Sequence, residues 1–71
     1  MNLTTAAELG VCVRQVRRAH DLTQAQLAGL AGTGVRFVSE LERGKPNIAL
    51  DKTLQVLTAL GLRLDIVPIQ P

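Results

Sequence analysis

The stretch LTQAQLAGLAGTGVRFVSELERGK, residues 22–45, holds two short helical patterns separated by a break. Thr23-Gln24-Ala25-Gln26 has the form in which a hydroxyl and a side chain three residues on satisfy each other's free backbone amides at a helix start. The helix it opens should be about two turns long and carry Leu27, Leu30 and Ala31 inward. Gly32-Thr33-Gly34 breaks it, because two glycines in three residues mark a tight turn with unusual dihedrals. A third helix is expected from about Val35 to Arg43, with Gly44 as its stop. At about 100° per residue, Val38 and Leu41 share its inner face, while Arg36, Ser39, Glu40 and Arg43 point away.

Upstream, Thr5-Ala6-Ala7-Glu8 repeats the capping pattern and starts a helix near residue 6. Leu9, Val13 and Val16 form its apolar stripe, with Cys12 and Ala19 beside them and Arg14, Gln15 and Arg18 off it. It should end near His20, where Asp21 tolerates the left-handed backbone of a helix exit and Leu22 drops back toward the core. Downstream, Lys45-Pro46-Asn47 reads as a loop, and Leu50, Leu54, Leu57 and Leu60, joined by Val56, read as a fourth amphipathic helix closed by Gly61. The period then changes from helical to two. Leu62, Leu64 and Ile66 alternate with Arg63, Asp65 and Val67, which predicts a β-strand ended by Pro68. A lone strand finds no partner within the chain, so its open edge calls for a second copy.

Composition narrows the class. A chain of 71 residues has room for one core, so one domain is expected over 1–71, with its core over 5–61 and the strand over 62–67. Domains this small usually need a staple. The single Cys12 excludes an internal disulfide, and with only His20 beside it no zinc-ligand spacing exists, which leaves a partner chain. Hydrophobic residues make up 46% of the chain yet only Phe37 is aromatic, so the core must be aliphatic. Eight Lys and Arg against six Asp and Glu give a net charge of +2, a balance that permits polyanion binding. No apolar run approaches the roughly 20 residues that span a bilayer, and no secretory signal pattern opens the chain, so a cytoplasmic protein with Cys12 reduced is expected.

Two short helices around a glycine turn, the second presenting polar residues outward, have the geometry that lays a helix into the major groove of DNA. Arg17, Leu22-Thr23-Gln24-x-x-Leu27-Ala28, Ala31-Gly32 and Leu41-Glu42-Arg43-Gly44-Lys45, in this order and spacing, resemble the lambda-repressor-like, or XRE-type, helix-turn-helix family over about residues 8 to 61. Within it the chain looks most like the HipB-type antitoxins, in which a short strand after the core pairs across the dimer axis. The resemblance implies an all-α, lambda-repressor-like bundle of four or so helices with a short C-terminal β-strand for dimerisation over Leu62, Arg63, Leu64, Asp65, Ile66 and Val67. It also implies a homodimeric repressor of its own operon that binds a palindromic double-stranded operator and a HipA-like kinase toxin. A stand-alone phage-type repressor and a protein-protein adaptor on the same fold stay open as alternatives.

The resemblance distributes roles by position. Gln24 stands where the family grips a phosphate at the positive end of a helix, though a solvated polar residue is the alternative reading. Val35, Arg36, Ser39 and Glu40 stand at base-reading positions. Arg36 has the fork to bind a guanine edge, and the plainer reading is an i, i+4 surface pair with Glu40. Arg43 and Lys45 would hold phosphates beside the groove, or form a solvated basic turn. Gly34 departs from the family pattern by standing where Ser or Thr caps the recognition helix, so Thr33 is expected to substitute and to stand among the DNA-contacting residues. Asn47-Ile48-Ala49 likewise lacks a cap before the fourth helix. Arg17 and Glu42 match positions that the family uses for a partly buried ion pair. His20, Cys12 and Phe37 read as a helix-end residue, core filler and packing. No second titratable group pairs with His20 to suggest catalysis, so neither an enzyme nor a cofactor or metal is expected.

Overall fold

The structure, a computed structural model, describes residues 2–70. Four helices follow in order: α1 (Ala6–Ala19), α2 (Gln24–Ala31), α3 (Val35–Glu42) and α4 (Leu50–Ala59). Both capping boxes form. Thr5 Oγ1 accepts from the Glu8 amide at 3.1 Å while the Thr5 amide donates to Glu8 Oε1 at 3.0 Å. Thr23 and Gln26 exchange the same two bonds at 3.0 and 2.8 Å. Among the described residues no helix is long and apolar enough to cross a membrane.

All four helices stop by one device, a left-handed residue just past the end. It is Asp21 (φ 56°) after α1, then Gly32, Gly44 and Gly61 at φ 74°, 77° and 74°. Each lets the next amide turn back onto a carbonyl five residues upstream: Leu22 onto Arg17, Thr33 onto Ala28, Lys45 onto Glu40 and Leu62 onto Leu57. Gly34, by contrast, has an ordinary extended backbone, so the unusual dihedrals expected of the α2–α3 turn fall on Gly32 alone. Asn47 also turns left-handed (φ 58°), and the start of α4 carries no side-chain cap.

The core is aliphatic, as composition requires: Val13, Leu27, Ala28, Val38, Leu41, Val56, Leu57 and Leu60 are buried, with Leu9, Val16, Leu22 and Phe37 packed against them. Three expected core positions are corrected. Leu30 is 65% exposed and Ala28 is buried in its stead, since Leu30 lies about 110° round α2 from the middle of the Leu27, Ala28 and Ala31 face. Leu50 and Leu54 are likewise exposed, because α4 turns the face of Thr53, Val56, Leu57 and Leu60 inward. Thr53 tolerates burial by donating its hydroxyl to the Ala49 carbonyl at 2.8 Å.

The predicted β-strand over Leu62–Val67 is also corrected: among the described residues there is no strand, and α4 is the last regular element. Past the Leu62 amide no backbone group of this tail is hydrogen-bonded among the described residues, and Leu64, Ile66 and Val67 are exposed. The alternation is real, but a ladder needs a neighbour, and the described residues of one copy offer no strand to pair with.

α3 packs against both α1 and α2, and α4 against α2. Gly10 permits the α1–α3 contact: a Cβ there would stand 2.5 Å from the Leu41 carbonyl oxygen and 2.7 Å from that of Glu42. At the same corner Arg17 Nε and Nη2 grip Glu42 Oε2 and Oε1 at 2.6 and 3.0 Å. Arg17 Nη1 donates to the Leu22 carbonyl at 2.7 Å. Burial pushes the Glu42 carboxyl up, but the bonds from Arg17 and Gln24 and the charges of Arg17 and Arg14 outweigh it and hold the group below its ordinary value.

Two stability predictions follow from this corner. Gly10→Ala should cost at least about 1–3 kcal/mol, because the obstructing atoms are backbone rather than a yielding side-chain tip. Thermal unfolding measures it, and an unchanged midpoint would contradict the close approach. Arg17→Met should cost about 3–5 kcal/mol by stranding a buried carboxylate. Since the folded-state pKa of Glu42 is depressed, its stabilisation is complete above the unfolded value near 4.5 and is lost as pH falls through the folded one. Urea titrations at neutral and acid pH should therefore show a larger acid loss for the wild type than for Glu42→Gln.

Candidate nucleic-acid interface

The surface in question is built on α3, which three residues, Gly32-Thr33-Gly34, join to α2. Val38, Leu41 and Glu42 are buried, and this leaves the opposite face of the helix outward. Val35 is exposed in the first turn, and the Arg36 side chain is 89% exposed one residue later. Ser39 is half-buried. Arg43, the C-cap, is exposed, as is Lys45 beyond Gly44. One face thus carries Arg36 near its start and Arg43 and Lys45 at its end.

Glu40 sits among these cations. Its Oε2 accepts from Lys45 Nζ at 3.1 Å and lies 3.8 Å from Arg36 Nε. The bond from Lys45 is the largest cause holding the Glu40 carboxyl below its usual range, opposed by desolvation and reinforced by the charges of Lys45, Arg36 and Arg43. The i, i+4 pair of Arg36 and Glu40 read from the sequence is present as a loose contact. The tighter pairing with Lys45 was not foreseen, because it spans the left-handed turn at Gly44 rather than one face of a helix.

Gln24 is not merely solvated: one N–H of Nε2 donates to Glu42 Oε1 at 3.1 Å, and the other has no partner among the described residues. The start of α2 is thereby tied to the end of α3. Thr33 does not substitute as the cap of α3: Gly34 holds the N-cap position with no side-chain bond, and Thr33 Oγ1 is buried without a hydrogen-bond partner. Its hydroxyl is screened from solvent, so direct contact with a ligand requires it to turn out.

Lys52, at the start of α4, was not singled out from the sequence. Its Nζ lies 5.9 Å from the centre of the Phe37 ring, a cation-π distance that brings a fourth positive charge beside α3. No sequence signal joins residues on different helices in this way. The proposed dimerisation residues lie apart from this face, past α4: Leu62 is half-buried on the core, Arg63 and Asp65 pair with each other at 3.2 Å, and Leu64, Ile66 and Val67 are exposed.

Comparison with known proteins matches this architecture. A helix-turn-helix family model covers residues 13–67. The uncharacterised HTH-type transcriptional regulator y4mF of Sinorhizobium fredii is 48% identical over 64 residues, 90% of this chain and 84% of that protein. Among solved structures, a chain of the HipA-HipB-O2-O3 complex superposes with a TM-score of 0.89 over 99% of both chains at 21% identity, a likeness of fold. The restriction-modification controller protein C.AhdI from Aeromonas hydrophila does so with a TM-score of 0.73 at 34% identity, over 82% of this chain and 84% of that one. With its glycine-broken α2 and α3, its buried Arg17–Glu42 pair and a family match over most of its length, the chain belongs to the XRE-type helix-turn-helix family.

Proposed function

We propose that the chain is a transcriptional repressor that binds a specific double-stranded DNA operator as a homodimer. The observation that carries this is the outer face of α3, where Arg36 stands almost fully in solvent between the exposed Val35 and the basic turn of Arg43 and Lys45. A guanidinium so placed can donate two bonds to the N7 and O6 of a guanine, and Val35 can meet a thymine methyl. The cations at the end of the helix can anchor phosphates on either side of the groove. The 48% identity to a protein described as an HTH-type transcriptional regulator supports the same reading.

The finer role we propose is that of an antitoxin that represses its own operon and binds a HipA-like toxin. Its support is the likeness over 99% of both chains to a chain of the HipA-HipB-O2-O3 complex, together with likeness to a HipB-O4 20mer complex. Dimerisation is assigned to Leu62, Arg63, Leu64, Asp65, Ile66 and Val67, pairing with the same segment of a second copy. The exposed apolar side chains of this tail and its unbonded backbone groups favour that arrangement. Such a dimer would set two recognition helices about 34 Å apart, one turn of duplex, and so call for a palindrome.

Two experiments test this reading. Arg36→Ala should cost about 1–3 kcal/mol on the operator and relax preference at one base pair per half-site. Lys45→Ala should weaken binding to operator and random duplexes both and reduce the salt slope by about 0.9. Equal losses on operator and random DNA for Arg36→Ala would remove its base-reading role. Deleting residues after Gly61 should weaken dimerisation and operator affinity together. An undiminished dimer in analytical ultracentrifugation would move the interface elsewhere.

A further inference from the structure

Lys45 is held to Glu40 twice. The left-handed turn at Gly44 (φ 77°) folds the chain back so that the Lys45 amide donates to the Glu40 carbonyl at 3.1 Å, and the Lys45 ammonium donates to the Glu40 carboxylate, also at 3.1 Å. The same carboxylate oxygen lies 3.8 Å from Arg36 Nε. Glu40 is sheltered, with its side chain 21% exposed against 89% for Arg36 and 51% for Lys45. A single partly sheltered anion therefore already partners two of the cations on this face.

We propose that Glu40 is an internal competitor for phosphate that sets specificity by making non-cognate duplexes pay for releasing Lys45. This rests on the DNA-binding reading above and deepens it. The phosphates of every duplex are alike, so Lys45 gains as much from a random sequence as from an operator. When it transfers to a phosphate, however, Glu40 loses its closest hydrogen-bond donor while facing a groove of negative potential. Most base edges there present acceptors, such as guanine N7 and O6 or thymine O4, and these repel a carboxylate. A cytosine N4 amine or an adenine N6 amine opposite Glu40 restores the lost donor. Release of Lys45 is thus compensated at some sequences and uncompensated at the rest, and a residue that lowers affinity everywhere lowers it most where the sequence is wrong.

The test uses the full chain, a 20-base-pair duplex selected by the wild type from a randomised pool, and a scrambled duplex of the same composition. Glu40→Gln should raise affinity for the scrambled duplex by about 3- to 10-fold, with a smaller change on the selected one, so that the ratio between them falls. The gain on the scrambled duplex should be smaller in a Lys45→Ala background than in the wild type, because the part due to freeing Lys45 is then gone, a coupling that a merely structural effect of Glu40 would not give. A circular-dichroism melt follows the fold, which should change little because the pair is exposed on the Lys45 side. Equal changes on both duplexes, or a gain undiminished without Lys45, would overturn the inference and leave DNA binding intact. A wild type that binds neither duplex at low salt would instead overturn the DNA-binding reading itself.

Discussion

The buried pair between Arg17 and Glu42 is the contact on which the arrangement of α3 depends. One guanidinium joins the last turn of α1, the Leu22 carbonyl that follows it and the carboxylate at the end of α3. Gln24 adds the start of α2 to the same carboxylate. Three helices thus converge on Glu42, whose side chain is only 3% exposed. A charge so deep is tolerable only if it is paired and hydrogen-bonded; both carboxylate oxygens accept from Arg17, and the bidentate fork of arginine supplies a geometry that lysine could not. The pair is directional where aliphatic packing is not. Together with the buried Val38 and Leu41, it fixes which residues of α3 face outward.

That restraint matters because the helices are short. α2 and α3 have eight residues each, well under the length at which an isolated helix is stable in water, so they persist through what they touch. Gly10 lets α1 approach the carbonyls of Leu41 and Glu42, and a Cβ on Gly44 would stand 2.7 Å from Ala7 Cα. Backbone meets backbone at both points, which leaves no space for α3 to slide. The left-handed stops then send the chain back toward the core after each helix, so that connections of a few residues suffice.

On the outer face the balance is electrostatic. Arg36, Arg43 and Lys45 would by themselves form a generic polyanion site, and Lys52 over Phe37 extends it. Glu40 alters this by pairing with Lys45 and standing near Arg36. The surface therefore carries fewer free charges than its residue count implies, and those that remain depend on what takes the place of Glu40's partners.

Much of this was legible along the chain because it depends on neighbours in sequence. Capping boxes at Thr5–Glu8 and Thr23–Gln26, the left-handed Asp21, the stops at Gly32, Gly44 and Gly61 and the outward Arg36 are consequences of local hydrogen bonding and helical period. The match of Arg17 and Glu42 to a family ion-pair position also proved geometrically right. What failed was whatever depended on a partner outside the local segment: the strand over Leu62–Val67, which has no neighbour to pair with among the described residues, and the rotation of each helix against the others. Leu30, Leu50 and Leu54 are as apolar as the residues that are buried, and periodicity cannot tell which edge of a wide stripe the rest of the protein will cover. The screened Thr33 hydroxyl, the bond from Gln24 to Glu42 and the return of Lys45 to Glu40 are likewise invisible in the order of residues. The sequence by itself determined where helices begin and end, since those choices are settled within a few residues. Only the tertiary structure decided which faces are covered and which charges are already paired, since these depend on distances between segments that periodicity does not encode.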